Sequence, residues 1–278
     1  MKPADFDFVA KLVRERSGLV LTPDKAYLVE SRLGPVARKE GIPSLDDLVS
    51  SLRLRTHSPL VDAVVDAMTT NETFFFRDKT PFELLENVII PDLVAKKRGA
   101  PIKIWCAAAS TGQEPYSIAM LVDSLGHKMG GCKVEILGTD ISERCLEKAK
   151  AGIYTQFEVQ RGLPVQYLMK HFKKEGENWK ISDQVRSAVR YRSMNLLDDF
   201  RALGRFDVIF CRNVLIYFDA PTKKRILDRM ATQVEPPGYL LMGAAETTLG
   251  ITDVFKPVQN ARGLYTVDPT KTGLTRAA

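Results

Sequence analysis

The chain has little of what builds metal sites or disulfide frameworks. Its four cysteines, at 106, 132, 145 and 211, form no C-x-x-C pair, and its three histidines, at 57, 127 and 171, are scattered. Neither a metal site nor a disulfide scaffold is expected, and the thiols are expected to be reduced. Long apolar runs are also missing. None approaches the roughly 20 residues that cross a bilayer, and the polar start Met1-Lys2-Pro3-Ala4-Asp5 lacks the apolar segment of a secretory signal. A cytoplasmic protein without membrane insertion is the expectation. No basic stretch interleaved with aromatics dominates any segment, which argues against nucleic acid as partner. The net charge of +6 then reads either as a solvated surface or as a face for an acidic protein. With 278 residues, 45% of them hydrophobic and 27% charged, the chain can bury a substantial core in one or two domains.

From residue 5 to about 70 the pattern is helical, punctuated by Gly18, Pro23, Gly41, Pro43 and the Ser58-Pro59 pair, and it predicts a small bundle of short helices. Beyond it the grammar changes. Thr80-Pro81-Phe82-Glu83 has the spacing of a capping box and opens a helix to about Lys97, after which strand-like runs alternate with helices. Strands are expected at 102–106, 134–139, 206–211 and 239–243, with 263–267 as a last edge strand. Alternating helices and buried-looking strands make this an α/β domain with a doubly wound, parallel sheet. The runs 179–181 and 185–191, joined by Ser182-Asp183-Gln184, predict a small antiparallel hairpin inserted in it. Residues 269–278 read as a loose tail. The domains that follow are 1–70, helical; 71–85, a linker contributing to the ligand site; and 86–278, the sheet domain, with its β-subdomain at about 173–193.

In a doubly wound sheet, ligands bind beyond the carboxyl ends of the strands. Four marked segments fall there. The first strand runs into Ala107-Ala108-Ala109-Ser110-Thr111-Gly112-Gln113-Glu114-Pro115, a small-residue turn and a helix start. The second strand ends in Gly138-Thr139-Asp140, Asn195 follows the run 189–194, and Arg212-Asn213 follow 206–211. A carboxylate after the second strand suits two ribose hydroxyls, because it accepts both hydrogen bonds. Asp140 is therefore the candidate, although it is also placed to cap the helix that begins at Glu143. Asn195 and Asn213 fit turn positions equally well, and the macrodipole of the helix that follows favours Glu114 with or without a ligand. The turn departs from G-x-G-x-x-G, with Ala107, Ala109 and Gly112 in place of the glycines that admit a pyrophosphate. An adenosine without phosphates, carrying an ammonium for Glu114 to neutralise, fits better. S-adenosylmethionine has both features. At 74–76, three consecutive phenylalanines cannot all face one core. They form either an interdomain plug or an aromatic wall that faces a ligand together with Arg77.

Together these residues resemble the CheR-type chemotaxis methyltransferases, which transfer the methyl of S-adenosylmethionine to glutamate side chains on chemoreceptor signalling helices. The resemblance rests on TTNETFFFR at 69–77, AAASTGQEPYS at 107–117, TDI at 139–141, NLL at 195–197 and FDVIFCRNVLIYF at 206–218, and it spans nearly the whole chain. It implies a Rossmann-like methyltransferase domain with S-adenosylmethionine as cofactor and S-adenosylhomocysteine as product. Cofactor contacts are implied from Asn71, Thr73, Arg77, Glu114, Asp140 at the ribose, Asn195 and Leu196 near the adenine, and Asn213 and Val214. Arg77 and Tyr217 are the catalytic candidates for orienting the acceptor, with the cofactor's own carboxylate as the alternative partner of Arg77. The helical domain is implied to dock on the cytoplasmic signalling helices of chemoreceptors, within receptor arrays. Arg14, Lys25, Arg32, Arg38 and Lys39 are the candidates for its basic face. Some members grip a receptor's C-terminal tether peptide with the hairpin subdomain. Here the connection 173–179 is shorter than the loop of those members, which speaks against tether binding. Two rivals share the cofactor residues: a methyltransferase acting on RNA or a small molecule, and a binding adaptor without catalysis.

Overall fold

The computed structural model describes residues 1–54, 58–268 and 270–271. His57 lies outside them, as does the expected tail apart from Thr270 and Lys271. The chain forms two compact units, 1–70 with 217–222, and 71–216 with 223–278.

The first unit is helical. Its helices are Pro3–Ser17, Ala26–Lys39, Leu45–Leu54 and Pro59–Met68. Each buries residues at helical spacing: Val9, Leu12 and Val13 in the first, Val29 and Leu33 in the second, Leu48 and Leu52 in the third, Val61, Val64, Val65 and Met68 in the fourth. Ser58 caps the last helix, its hydroxyl accepting from Val61 N. The far end of that helix is closed by Arg32, whose guanidinium donates to the carbonyls of Met68 (2.8 Å) and Thr69 (2.9 Å) and to Thr70 Oγ1. Residues 217–222 join this unit through Val20 N, which donates to Tyr217 O (2.9 Å), and through an Arg14–Asp219 ion pair.

Among the described residues the second unit holds ten strands: β1 Ile102–Cys106, β2 Val134–Asp140, β3 Ile153–Thr155, β4 Phe172–Glu175, β5 Asn178–Ile181, β6 Val189–Ser193, β7 Phe206–Cys211, β8 Val234–Met242, β9 Phe255–Pro257 and β10 Leu264–Val267. Seven of them make the main sheet, in the order β6-β2-β1-β7-β8-β10-β9. The first five in that order are parallel, and β10 runs antiparallel to both of its neighbours. Both faces of this sheet are covered. All six residues of β7 are buried. Ile104, Cys106, Val208, Phe210 and Leu241 share one core, while on β1 the indole of Trp105 meets Phe200 and Phe206 and donates to Thr139 Oγ1.

Four expectations need correction. The run 189–193 belongs to the main sheet, parallel to β2, because the residues before it, Asp183–Ser187, close into a helix capped by Ser182 rather than a hairpin turn. The small antiparallel sheet is instead β3-β5-β4, its β4–β5 hairpin closing over Gly176-Glu177. Strand β10 is internal. The edge is β9, three residues ending in Pro257, too short to show a pattern and of the kind that tolerates a missing donor. Thr80 and Glu83 make no capping box, since Thr80 is already inside the helix and Lys79 before it sits at φ 47°. A capping box does form at Thr155 and Glu158. Among the described residues, no helix is long and apolar enough to cross a membrane, no three His, Cys, Asp or Glu side chains cluster for a metal, and all four cysteines are buried free thiols.

Candidate active site

The turn after β1 stays tied to the sheet before it leaves it. Ala107 N donates to Phe210 O and Ala109 N to Thr139 O, so both neighbouring strands hold it. Ser110 then turns left-handed (φ 48°), its N–H donating to Asp140 Oδ2 (2.8 Å) and its hydroxyl to Asn71 O (2.7 Å). The other oxygen of Asp140 accepts from Ser142 N (2.9 Å). Capping of the helix Glu143–Ala151 falls to Ser142, not Asp140. Asp140 is thus a buried carboxylate that accepts from two backbone donors. Gly112 opens the next helix at φ 94°, where a Cβ would lie 2.8 Å from Tyr191 Oη and 2.9 Å from Ala149 Cβ. Its smallness serves the packing of the helix start and not a phosphate. Its N–H is already spent on Ala109 O.

A second cluster centres on Arg212 at the end of β7. A cation directly after a fully buried strand needs fixed partners, and Arg212 has them. Nη1 donates to Glu114 Oε2 (2.6 Å), while Nη2 donates to Arg77 O (2.7 Å) and Asp78 Oδ2 (2.9 Å). The guanidinium also lies over the Phe82 ring, 5.7 Å from its centroid. Its Nε is buried with no hydrogen-bond partner among the described residues. Burial pushes the Glu114 carboxyl above the usual carboxylate range, with Arg212 pulling in the opposite direction. Arg77 itself is half-buried, donating once to Glu72 O (2.8 Å) and sharing the face of Phe74 with Arg161.

The phenylalanines divide their work. Phe75 packs edge-on against Tyr154 and Phe172, and Phe76 stacks on Tyr167, so both are buried in the core of this unit. Only Phe74 stays half-exposed. Fitting two adjacent rings into one core takes a left-handed backbone at Phe76 (φ 52°), repeated at Asp78 (φ 69°) and Lys79 (φ 47°).

Of the remaining expected residues, Asn195 makes an Asx turn, its Oδ1 accepting from Leu197 N, with Leu196 buried beside it. Thr73 is half-buried. Asn213 sits at φ 57°, and its N–H, with those of Val214, Leu215 and Ile216, points to the Glu246 carboxylate. Tyr217 groups with the helical unit instead. Two residues were given no role from the sequence. Arg212 fell in a marked strand-end segment and had a signal, a charge abutting a six-residue apolar strand. Glu246 had none, since four of its five donors lie thirty or more positions away, on the turn after β7.

Family models match both units: CheR methyltransferase, all-alpha domain, over residues 4–69, and CheR methyltransferase, SAM binding domain, over residues 71–264. The chain belongs to the CheR methyltransferase family. It is 42% identical over 267 residues to the chemotaxis protein methyltransferase Cher2 of Pseudomonas putida, covering 94% of this chain and 96% of that one. Identity to the chemotaxis protein methyltransferase of Vibrio parahaemolyticus is 43% over 258 residues, 92% and 93% of the two chains. To that of Borreliella burgdorferi it is 33% over 246 residues, 86% and 87%.

S-adenosylmethionine is the cofactor of this CheR methyltransferase, and the chemistry of the strand-end residues fits it. Two carboxylates, Glu114 and Asp140, suit a cationic nucleoside with two ribose hydroxyls, while the N–H groups of Ser110 and Gly112, which a phosphate would need, are internally spent.

Proposed function

We propose that this chemotaxis methyltransferase transfers the methyl group of S-adenosylmethionine to glutamate side chains of chemoreceptors. The observation that carries the reading is the pair of fixed carboxylates, Glu114 in the first turn of the helix after β1, held by Arg212, and Asp140 at the end of β2, held by two backbone N–H groups. In this reading Glu114 offsets the cofactor's ammonium and Asp140 accepts from the ribose. Asn195 and Leu196 flank the adenine, and Asn71 and Thr73 line the approach. Because the N–H groups of Asn213 and Val214 are spent on Glu246, these two residues contact the cofactor through carbonyls or side chains only.

When bound, the cofactor supplies an electrophilic methyl on a sulfonium. A glutamate acceptor is ionised at neutral pH and needs no general base, and none of the site residues named above is a histidine or lysine. The nearby thiols of Cys106 and Cys211 are held protonated by burial, which removes them as nucleophiles. The protein's part is then to position and to exclude water. Arg77 has donors left beyond its one bond to Glu72 O and is suited to grip a carboxylate, either the acceptor's or the cofactor's. The role of Tyr217 rests on the resemblance alone.

The pH dependence follows from Glu114. Its pKa is raised, so on acidification it takes up a proton before an ordinary carboxylate does, and the neutral form no longer offsets an ammonium. Cofactor affinity is expected to fall on acidification, with its onset at higher pH than an ordinary carboxylate would give, and to be nearly flat over that onset in Glu114→Gln. Calorimetric titration with S-adenosylhomocysteine across that range checks it, and a wild-type profile as flat as the variant's would refute it.

For the receptor-facing surface, Arg32 is committed to closing a helix and Arg14 pairs with Asp219. Lys25, Arg38 and Lys39 remain exposed, and these three are the proposed contacts with an acidic receptor helix. Reversing all three to Glu is expected to slow association by about tenfold at low salt and to flatten its salt dependence. Stopped-flow binding at two ionic strengths measures both. The two-residue loop of the β4–β5 hairpin supports the view that no tether peptide is held there. The test of the whole reading is incubation with tritiated cofactor and a receptor signalling fragment, followed by an assay for base-labile label. Label appearing on RNA or a small molecule, or no label despite cofactor binding, favours the rivals.

A further inference from the structure

Glu246 lies on the loop after β8, and its carboxylate gathers five backbone N–H groups. Oε2 accepts from Asn213 (2.8 Å) and Gly243 (2.8 Å), while Oε1 accepts from Val214 (3.0 Å), Leu215 (2.7 Å) and Ile216 (3.3 Å). Four of these donors are consecutive, which requires the turn after β7 to curl its N–H groups toward one point, and the left-handed Asn213 begins that curl. Gly243 leaves the room. A Cβ there would lie 2.7 Å from Glu246 Oε2 and 2.9 Å from Asn213 N. Glu246 also lines a cavity of about 620 Å³ together with Gly243, Ala244, Thr247 and Arg262, so the carboxylate is reachable from solvent.

We propose that Glu246 is a positioning residue for methyl transfer. It serves as the internal anion of a carboxylate-binding nest, and the shape of the Asn213–Ile216 turn depends on that anion being present. The inference rests on the reading that Asn213 and Val214 touch the cofactor. Without an anion, four converging N–H dipoles repel one another and the turn relaxes. Water entering through the cavity solvates the donors but does not replace the charge. The chemistry also says what does replace it: a small carboxylate such as formate, entering the space the side chain leaves.

The experiment is calorimetric titration of S-adenosylhomocysteine into the full-length protein and into Glu246→Ala, with and without formate, chloride at equal ionic strength serving as control. Glu246→Ala is expected to weaken cofactor affinity by at least about tenfold, one or two strong hydrogen bonds' worth of order in the turn. Formate is expected to restore most of it saturably, and chloride is not. Hydrogen exchange at residues 213–216 is expected to follow the same pattern. Glu246→Gln keeps the bulk but sets an amide N–H₂ against backbone donors, so it is expected to be weak and not rescued, because the nest is filled. It also serves as the second variant if the alanine protein does not fold. Wild-type affinity in either variant, or an alanine variant that formate leaves unchanged, overturns the proposal. A wild-type protein that binds no cofactor would instead overturn the reading on which the proposal rests.

Discussion

Replacing Arg212 with methionine is expected to destabilise the protein by about 3–5 kcal/mol, the cost of leaving one partner of a buried ion pair uncompensated. The side chain of Arg212 is 2% exposed and that of Glu114 12%, so Glu114 has almost no access to water once its partner is gone, whereas Asp78, at 35%, can rehydrate. The same substitution frees Arg77 O and loosens the segment that carries Arg77 and Asp78. Cofactor binding is therefore expected to disappear together with stability. Urea unfolding monitored by circular dichroism measures the first effect, and calorimetry the second. A cycle separates charge from shape. The double variant Arg212→Met, Glu114→Gln removes both charges and is expected to recover a large part of the stability without recovering cofactor affinity. A single Arg212→Met variant within about 1 kcal/mol of wild type would mean that the ion pair is no better than a surface pair.

Asp140→Ala is the second large effect. The substitution removes the acceptor for Ser110 N and Ser142 N together with the proposed ribose contact, and hydrogen bonds to a charged group are worth about 1.5–3 kcal/mol each. A loss of about 100-fold or more in cofactor affinity is expected, together with a loss of thermal stability, because the N–H groups of the buried Ser110 and Ser142 are left without an acceptor. Asp140→Asn keeps one acceptor oxygen, so it is expected to recover stability while remaining a poor binder. Titration of both variants with S-adenosylhomocysteine decides the matter, and wild-type affinity in the alanine variant removes Asp140 from the site.

What could be read in the sequence was what short-range pattern encodes. Strands β1 and β7 match their expected bounds to the residue, because each is a short apolar run closed by a small-residue turn or a charge. Helix starts with a serine and a proline, such as Ser58-Pro59, were equally plain. Apart from the capping box expected at Thr80 and Glu83, which failed locally, the failures are long-range. Residues 189–193 carry an alternating pattern that fits a hairpin as well as a sheet strand, and only pairing with β2, some fifty positions earlier, settles which. For Asp140 the sequence left two roles open, and the neighbouring Ser142 took the capping. The phenylalanine run offered a plug or a wall, whereas two of its rings joined the unit's own core at the cost of a left-handed backbone. Glu246 is the extreme case. Nothing in the sequence around it distinguishes it from a loop glutamate, and four of its five donors come from a distant turn.

The four cysteines have a practical corollary. Each thiol is sealed in the interior, two of them on the central strands β1 and β7, so an alkylating reagent can reach them only while the surrounding structure is transiently undone. Their modification rate in native buffer is therefore a clock for spontaneous opening of the sheet unit. A bound cofactor that draws the ends of β1, β2 and β7 together is expected to slow that clock.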